Sequence, residues 1–425
     1  MNADHHTHGY LGTLSTGEHF AIPPQARLRH LHLVGQTGTG KSTALLHLIA
    51  QHLAAGEGLA LLDPHGDLAV AALSFVPKHR AHELVYFNPA DLERPIGFNV
   101  LERVPPDQRP LVADNIVAAF IHLWGEVSVG AKSQQILRNS LRALMDTSSA
   151  TLLAIPRLLV DDAYRTSVLG KVSDPVVARY WRHEFAAYDA KHRSEATAPI
   201  LNKLDALLSA PALRNIVAQP KSTIDIRRMM DEGRIFIANL STGALGEGTA
   251  HVLGALLTTS IARTALSRAD MPEYHRRPFH LYADEFQSFA TDSFALILSE
   301  ARKYGLTLTL GHQYLAQLPD SLRHAVLGNT ASFVAFRVGV EDAPLLALHL
   351  GIDNPDALTD LPNFTAWART LLQDAPSGAR RIKLYAPPRP LHGSATRLMA
   401  NSRIRFGRHR HQVEDRIGRF LRSDD

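Results

Sequence analysis

The 425-residue chain contains no cysteine. That excludes disulfides, thiolate nucleophiles, iron–sulfur clusters and cysteine-ligated zinc, and it fits a reducing compartment. No apolar run reaches the roughly 18 residues that a membrane-crossing helix needs. The nearest approach, HVLGALLTTSIARTALS at 251–267, is broken by Thr258, Thr259, Ser260 and Arg263 and reads as a buried helix. The first residues, MNADHHTHGY, lack the basic-then-apolar order of a signal peptide. A cytoplasmic protein with no membrane span of its own is the expectation. Charge bias is also weak: 45 Lys and Arg face 41 Asp and Glu, a formal net charge of +4, which permits a nucleic-acid partner without requiring one. Internal repeats and low-complexity segments are missing as well. His5, His6 and His8 offer nitrogen ligands, but no carboxylate-rich partner stands near them, and they read as part of a solvated tail.

What is present is a globular composition, 45% apolar and 20% charged, over a length that suggests two or three units. LRHLHLV (28–34) reads as a strand, GQTGTGKST (35–43) as a loop and ALLHLIAQHLA (44–54) as a helix. GLALLD (58–63) and ELVYFN (83–88) read as further strands. Strand, loop, helix, strand is the opening of a parallel α/β sheet. Residues 108–219 then hold mainly helical patterns: QQILRNSLRALMD (134–146) and PILNKLDALLSAP (199–211) each gather their apolar residues on one face. Strand patterns return in GRIFIANL (233–240), PFHLYADEF (278–286), LTLTLG (306–311) and ASFVAFRVG (331–339). The expected organisation is an N-terminal tail (1–27), a core in two parts (28–107 and 220–387), a helical insertion (108–219) and a basic C-terminal tail with a short helix (388–425).

GQTGTGKS (35–42) fits G-x-x-x-x-G-K-[ST], placed after a strand and before a helix. Gly35, Gln36, Thr37, Gly38, Thr39 and Gly40 form a loop whose N–H groups can turn inward onto phosphate oxygens, aided by the helix N-terminus. Lys41 would reach the β- and γ-phosphates of ATP, and Ser42, with Thr43 beside it, would place a hydroxyl on Mg²⁺. HLYADEF supplies the acidic partner: Asp284 for Mg²⁺, and Glu285 to polarise the attacking water. An adjacent acidic pair argues for hydrolysis rather than binding alone. Lys41 and Asp284 stand 284 − 41 = 243 positions apart, far more than a compact core needs, which supports a large insertion. Asp63 ends the second strand; it either lies near the phosphates or stabilises the turn that follows.

SEARKYGLTLTLGHQY (299–314) carries a basic pair at one end of a strand and an amide at the other. GQTGTGKST, LLDPHGD, GFNV, ILRNSL, APILNKLDAL, IANLSTGALGE, HLYADEF, ARKYGLTLTLGHQ and NTASFVAFRVG occur in the order seen in the HerA/FtsK superfamily. Over most of residues 28–340 the chain resembles the type IV secretion (conjugative) coupling ATPases and their soluble HerA-like relatives. The resemblance implies a RecA-like P-loop NTPase core with a mostly parallel central sheet and a largely helical inserted domain. It implies a homo-hexameric ring motor that translocates DNA. Arg302 matches the arginine finger that enters a neighbouring subunit's site, with Lys303 and Arg337 as alternatives, and Gln313 matches the polar sensor of the γ-phosphate. Membrane-anchored relatives begin with transmembrane helices and archaeal HerA proteins with a β-barrel; here residues 1–27 precede the first expected strand, so the reading is a stripped motor.

Within residues 397–422, eight arginines (397, 403, 405, 408, 410, 416, 419 and 422) face only Glu414 and Asp415, a composition able to neutralise DNA phosphates without reading sequence. KHRSEATAP (191–199) is a candidate pore loop. Conjugative transfer is the leading setting, with recruitment to the inner membrane through a relaxase or a secretion channel. One alternative is a HerA-like motor working with a nuclease in DNA-end processing or antiviral defence. Another is an ATPase that powers protein secretion or assembly without DNA.

Overall fold

The computed structural model describes residues 9–290, 293–373 and 375–422; His5, His6 and His8 lie outside them. Contacts divide the chain into two units, the first comprising residues 1–87, 226–241 and 261–402, the second residues 88–225, 242–260 and 403–425.

The first unit is built on one sheet. Its strands in chain order are β1 (Gly9–Leu14), β2 (His19–Ile22), β3 (Leu31–Val34), β4 (Gly58–Asp63), β5 (Leu84–Phe87), β6 (Ile235–Asn239), β7 (Phe279–Ala283), β8 (Leu306–His312), β9 (Ser332–Ala335) and β10 (Thr365–Arg369). A small separate hairpin follows, β11 (Leu371–Leu372) and β12 (Ala375–Pro376), and then β13 (Arg380–Leu384). The spatial order is β2-β1-β13-β10-β9-β3-β8-β7-β4-β6-β5. From β9 to β5 every pairing is parallel; from β9 through β10, β13 and β1 to β2 every pairing is antiparallel. This is the RecA-like P-loop fold expected from the sequence. The parallel strands are buried along nearly their whole length, which explains the apolar runs of β4 and β5; β3 and β8 also bury His32, Thr307, Thr309 and His312.

Alternation along β3 sends Leu33 and Val34 to opposite faces. Leu33 joins the cluster formed by Leu45, Leu48 and Ile49 of the Lys41–Ala54 helix with Leu59, Leu61, Ile235 and Ile237. Val34 joins Phe333, Ala335, Leu346 and Leu350 on the other side. Because β8 lies between β3 and β7, the chain's return after β7 sets the tip of β8 between the phosphate loop and the acidic strand.

Two segments expected to be tails are parts of folded units. Residues 9–22 form an edge hairpin in which Leu11, Phe20 and Ile22 are buried, and β1 pairs with β2 on one side and with the distant β13 on the other. The C-terminal segment forms two helices, Ala395–Phe406 and Arg410–Arg422. Leu398 packs into the first unit's core. Val413 and Ile417, one turn apart, are buried in the second unit.

The second unit is mostly helical, led by helices Arg109–Trp124, Ala131–Met145 and Ala190–Ser209. The candidate pore loop at 191–199 is helical there, capped by the Asp189 carboxylate, which accepts the His192 N–H at 2.8 Å. Arg403 pairs with Asp91 and Arg410 with Glu414, so two of the C-terminal arginines are already neutralised. Arg408, Arg416 and Arg419 line one cleft with Gln412 and Asp415.

Candidate nucleotide site

Everything the sequence proposed for nucleotide chemistry, except Arg302 and Lys303, gathers where the parallel strands end. Three glycines of the phosphate loop take left-handed or extended-positive φ values: Gly35 at 156°, Gly38 at 77° and Gly40 at 121°. A Cβ on Gly35 would stand 2.5 Å from the Phe336 Cβ, so only glycine fits between β3 and the end of β9. Gln36, Thr37 and Gly38 form the exposed tip, whereas Thr39 is buried and its hydroxyl donates to the Gln36 carbonyl at 2.7 Å. Gly40 caps the helix, and Lys41, Ser42 and Thr43 occupy its first turn.

Lys41 Nζ donates to the carbonyls of Gly35 (2.6 Å) and Gln36 (3.4 Å) and stands 3.9 Å from Glu285 Oε1. Burial lowers its pKa, opposed by the Glu285 and Asp284 carboxylates. Ser42 Oγ donates to Asp284 Oδ2 at 3.4 Å. Burial, and then the neighbouring Glu285 and Asp63 charges, push the Asp284 carboxyl up from 3.8 to about 6. It is therefore an anion short of counter-charge, set beside a hydroxyl, which is the hard oxygen donor pair that a Mg²⁺ site requires. Gly311 on β8 makes the room for it: a Cβ there would lie 3.1 Å from Asp284 Oδ1.

Glu285 turns the chain sharply out of β7 at φ 44°, ψ 51°, a left-handed conformation that costs a residue with a side chain roughly 1–2 kcal/mol. Both carboxylate oxygens are held: Gln313 Nε2 donates to Oε1 at 3.1 Å and Gln287 Nε2 to Oε2 at 2.8 Å. Gln287 was not singled out in the sequence; its signal was the one amide in the ADEFQS turn, two residues after Glu285. Beneath this layer His32 on β3 and His312 on β8 stack and share a 2.9 Å hydrogen bond. Burial drives both pKa values down, His312 to about 3, so the pair is neutral.

Asp63 sits at the tip of β4, but its two oxygens accept the N–H groups of His65 (2.9 Å) and Ala69 (2.8 Å). Its carboxylate is committed to the turn and following helix, and it acts on the site through its charge on Asp284. Arg337 follows β9 at the same end. Its Nε donates to Gln36 Oε1 at 3.3 Å, and the Gln36 N–H bonds its carbonyl at 2.9 Å. It stands beside its own chain's phosphate loop.

Arg302 and Lys303 lie at the other end of β8, in the turn Ala301–Tyr304. At about 3.3 Å per residue the strand separates them from Gln313 by roughly 20 Å. Lys303 pairs with Glu300 at 2.8 Å. Arg302 is exposed, its carbonyl accepts the Gly305 N–H at 3.0 Å, its side chain forms no hydrogen bond or ion pair among the described residues, and it lines a cleft with Arg29, Arg276 and Glu273.

A family model, the type IV secretion-system coupling protein DNA-binding domain, matches residues 16–342. The chain belongs to this family. Among solved structures, this coupling-protein chain is similar to the bacterial conjugative coupling protein TrwBΔN70 in its unbound form: 18% identity, 89% of this chain and 90% of that one covered, TM-score 0.61. It is similar to TrwB in complex with the non-hydrolysable ATP analogue ADPNP, again at 18% identity, with 89% and 91% covered and a TM-score of 0.61. VirB4 of Thermoanaerobacter pseudethanolicus matches at 13% identity, with 89% and 96% covered and a TM-score of 0.61. At these identities the likenesses carry the fold. No curated protein matches the chain.

Proposed function

We propose that this chain is an ATP-hydrolysing ring motor that translocates DNA, acting as a coupling-type ATPase in conjugative transfer. The observation that carries the reading is the convergence of Lys41, Ser42, Asp284, Glu285 and Gln313 at one end of the sheet, in a chain of the coupling-protein family. TrwB, solved with an ATP analogue and with ADP and Mg²⁺, supports ATP and Mg²⁺ as the ligands. Bound at the Ser42–Asp284 pair, Mg²⁺ would neutralise charge on the β- and γ-phosphate oxygens. Lys41 leaves the Gly35 and Gln36 carbonyls to hold the same phosphates. Glu285, clamped by Gln287 and Gln313, takes the proton of the attacking water. Gln313, on the γ-phosphate side, reports whether that phosphate is present.

Arg302 is the trans-acting finger of a homo-hexamer. It is uncommitted and exposed, whereas Lys303 is paired and Arg337 serves its own loop. Arg408, Arg416 and Arg419 of the helical unit are suited to DNA phosphates, so binding should be salt-sensitive and indifferent to sequence. A relaxase, a nuclease or a secretion channel at the inner membrane would recruit the ring.

Steady-state ATPase measured with and without single- and double-stranded DNA tests this. DNA should stimulate turnover, and stimulation should fade as salt rises. Vigorous turnover that ignores both forms of DNA would remove DNA from the reading; no turnover at all would remove the motor.

A further inference from the structure

The sheet order settles which way a nucleotide must lie on this loop. The acidic pair follows β7 and Gln313 follows β8, both on one side of β3. A γ-phosphate held by Lys41 therefore points toward β8 and β7. The nucleoside, at the opposite end of the triphosphate, must leave across the ends of β9, β10 and β13.

Phe364 stands there. It precedes β10, is 43% exposed, and takes φ 61°, a left-handed conformation unusual for an aromatic residue. Its N–H donates to the Thr39 carbonyl of the phosphate loop and its carbonyl accepts the Leu384 N–H, both at 2.8 Å. These two bonds fix a strained residue directly against the loop. Its ring comes within 3.2 Å of the position a Cβ on Gly40 would occupy, with Leu384 and Phe336 packed at the same point. On the helix side, His47 Nε2 is engaged by the Ala386 carbonyl at 2.9 Å, and its ring stands edge-on to Tyr385 at 5.9 Å. A partly exposed aromatic ring is thus held in place beside the phosphate cradle, on the side away from β8 and β7.

We propose that Phe364 is the stacking platform for the base of the bound nucleoside triphosphate. This rests on the nucleotide reading above and adds the base subsite that the phosphate motif leaves undefined. A phenyl face offers area without hydrogen bonds, so it favours large planar bases and does not separate adenine from guanine. Stacking of a base on an aromatic side chain is worth about 1–3 kcal/mol.

The test compares Phe364→Ala and Phe364→Trp with the native full-length chain, measuring binding of ATP, GTP and inorganic triphosphate by calorimetry. Phe364→Ala should weaken ATP and GTP about 10-fold and leave triphosphate unchanged; Phe364→Trp should restore both nucleotides and report ATP, but not triphosphate, by quenching of its fluorescence. Unchanged ATP affinity in Phe364→Ala overturns the proposal. So does an equal loss of triphosphate affinity, which would make Phe364 only a prop for the loop. If the native chain binds triphosphate but not ATP more tightly, the platform alone falls; if it binds neither, the nucleotide reading falls with it.

Discussion

The two ends of the parallel sheet handle charge in opposite ways. Where the strands end, Asp284 is held above its ordinary pKa, Glu285 sits on a left-handed backbone, and Lys41 rests on carbonyls of its own loop. Where the strands begin, charges satisfy one another. Glu57 there meets Arg27 at 3.4 Å, His52 at 3.3 Å and His280 at 2.8 Å. Tyr282 and Thr307 hydroxyls bond the far nitrogens of the two imidazoles. The imidazoles stack at 3.8 Å, burial lowers the His280 pKa, and Arg27 shares their carboxylate oxygen, a geometry that suits an Arg27–Glu57 ion pair flanked by imidazoles better than two rings converging on a metal. One end keeps electrostatic strain that a ligand relieves; the other end holds the sheet together. Arg302 is the exception, a bare charge at the quiet end.

That exception gives the largest expected effect. Arg302→Ala should lower steady-state turnover about 1000-fold with ATP affinity unchanged, and mixing it with Lys41→Ala subunits should restore activity at shared sites. Failure of mixed rings to recover would erase the contrast between a local end and a remote one. Next, Glu285→Gln should cut hydrolysis about 100- to 10,000-fold while nucleotide still binds, as a binding isotherm would show.

Asp284→Asn should stabilise the nucleotide-free chain, because a carboxyl raised from 3.8 to about 6 costs on the order of 3 kcal/mol at pH 7. The sign follows from the proton: the folded state holds it more tightly, so native stability from this group is lost as pH rises from about 4 to 6. The gain from the substitution, read by thermal melting, should therefore shrink as pH falls from 7 to 5. Smallest is Glu57→Gln. It should cost about 1–2 kcal/mol, limited by the 38% exposure of Glu57, with turnover per folded molecule unchanged. A loss of turnover instead would mean that the two ends are not independent.

How much of this was legible in the sequence follows from where the partners lie. β4 is a nearly continuous apolar run, β8 alternates Leu with Thr, both are buried on both faces, and the phosphate loop is one contiguous motif, so each could be read in place. β1, β10 and β13 mix apolar with polar or small residues and depend on partners far along the chain, so GYLGTL, TAWAR and RRIKL gave little signal. The ambiguity of Asp63 was a matter of hydrogen-bond direction, which only the turn geometry resolves. Arg337 was visible as a basic residue, but its place beside Gln36 depends on β9 pairing with β3. Phe364 had no signal at all, since nothing in NFT distinguishes a platform from a loop residue.

β8 has one further mechanical consequence. All seven of its residues are buried, and it is bonded to β3 on one side and to β7 on the other. A strand clamped on both edges neither stretches nor bends, so a displacement begun at Gln313 cannot be absorbed along the way. It would be passed on to the turn that carries Arg302. In the ring proposed above, β8 would act as a push-rod, carrying the state of one subunit's phosphate, as position, toward the next.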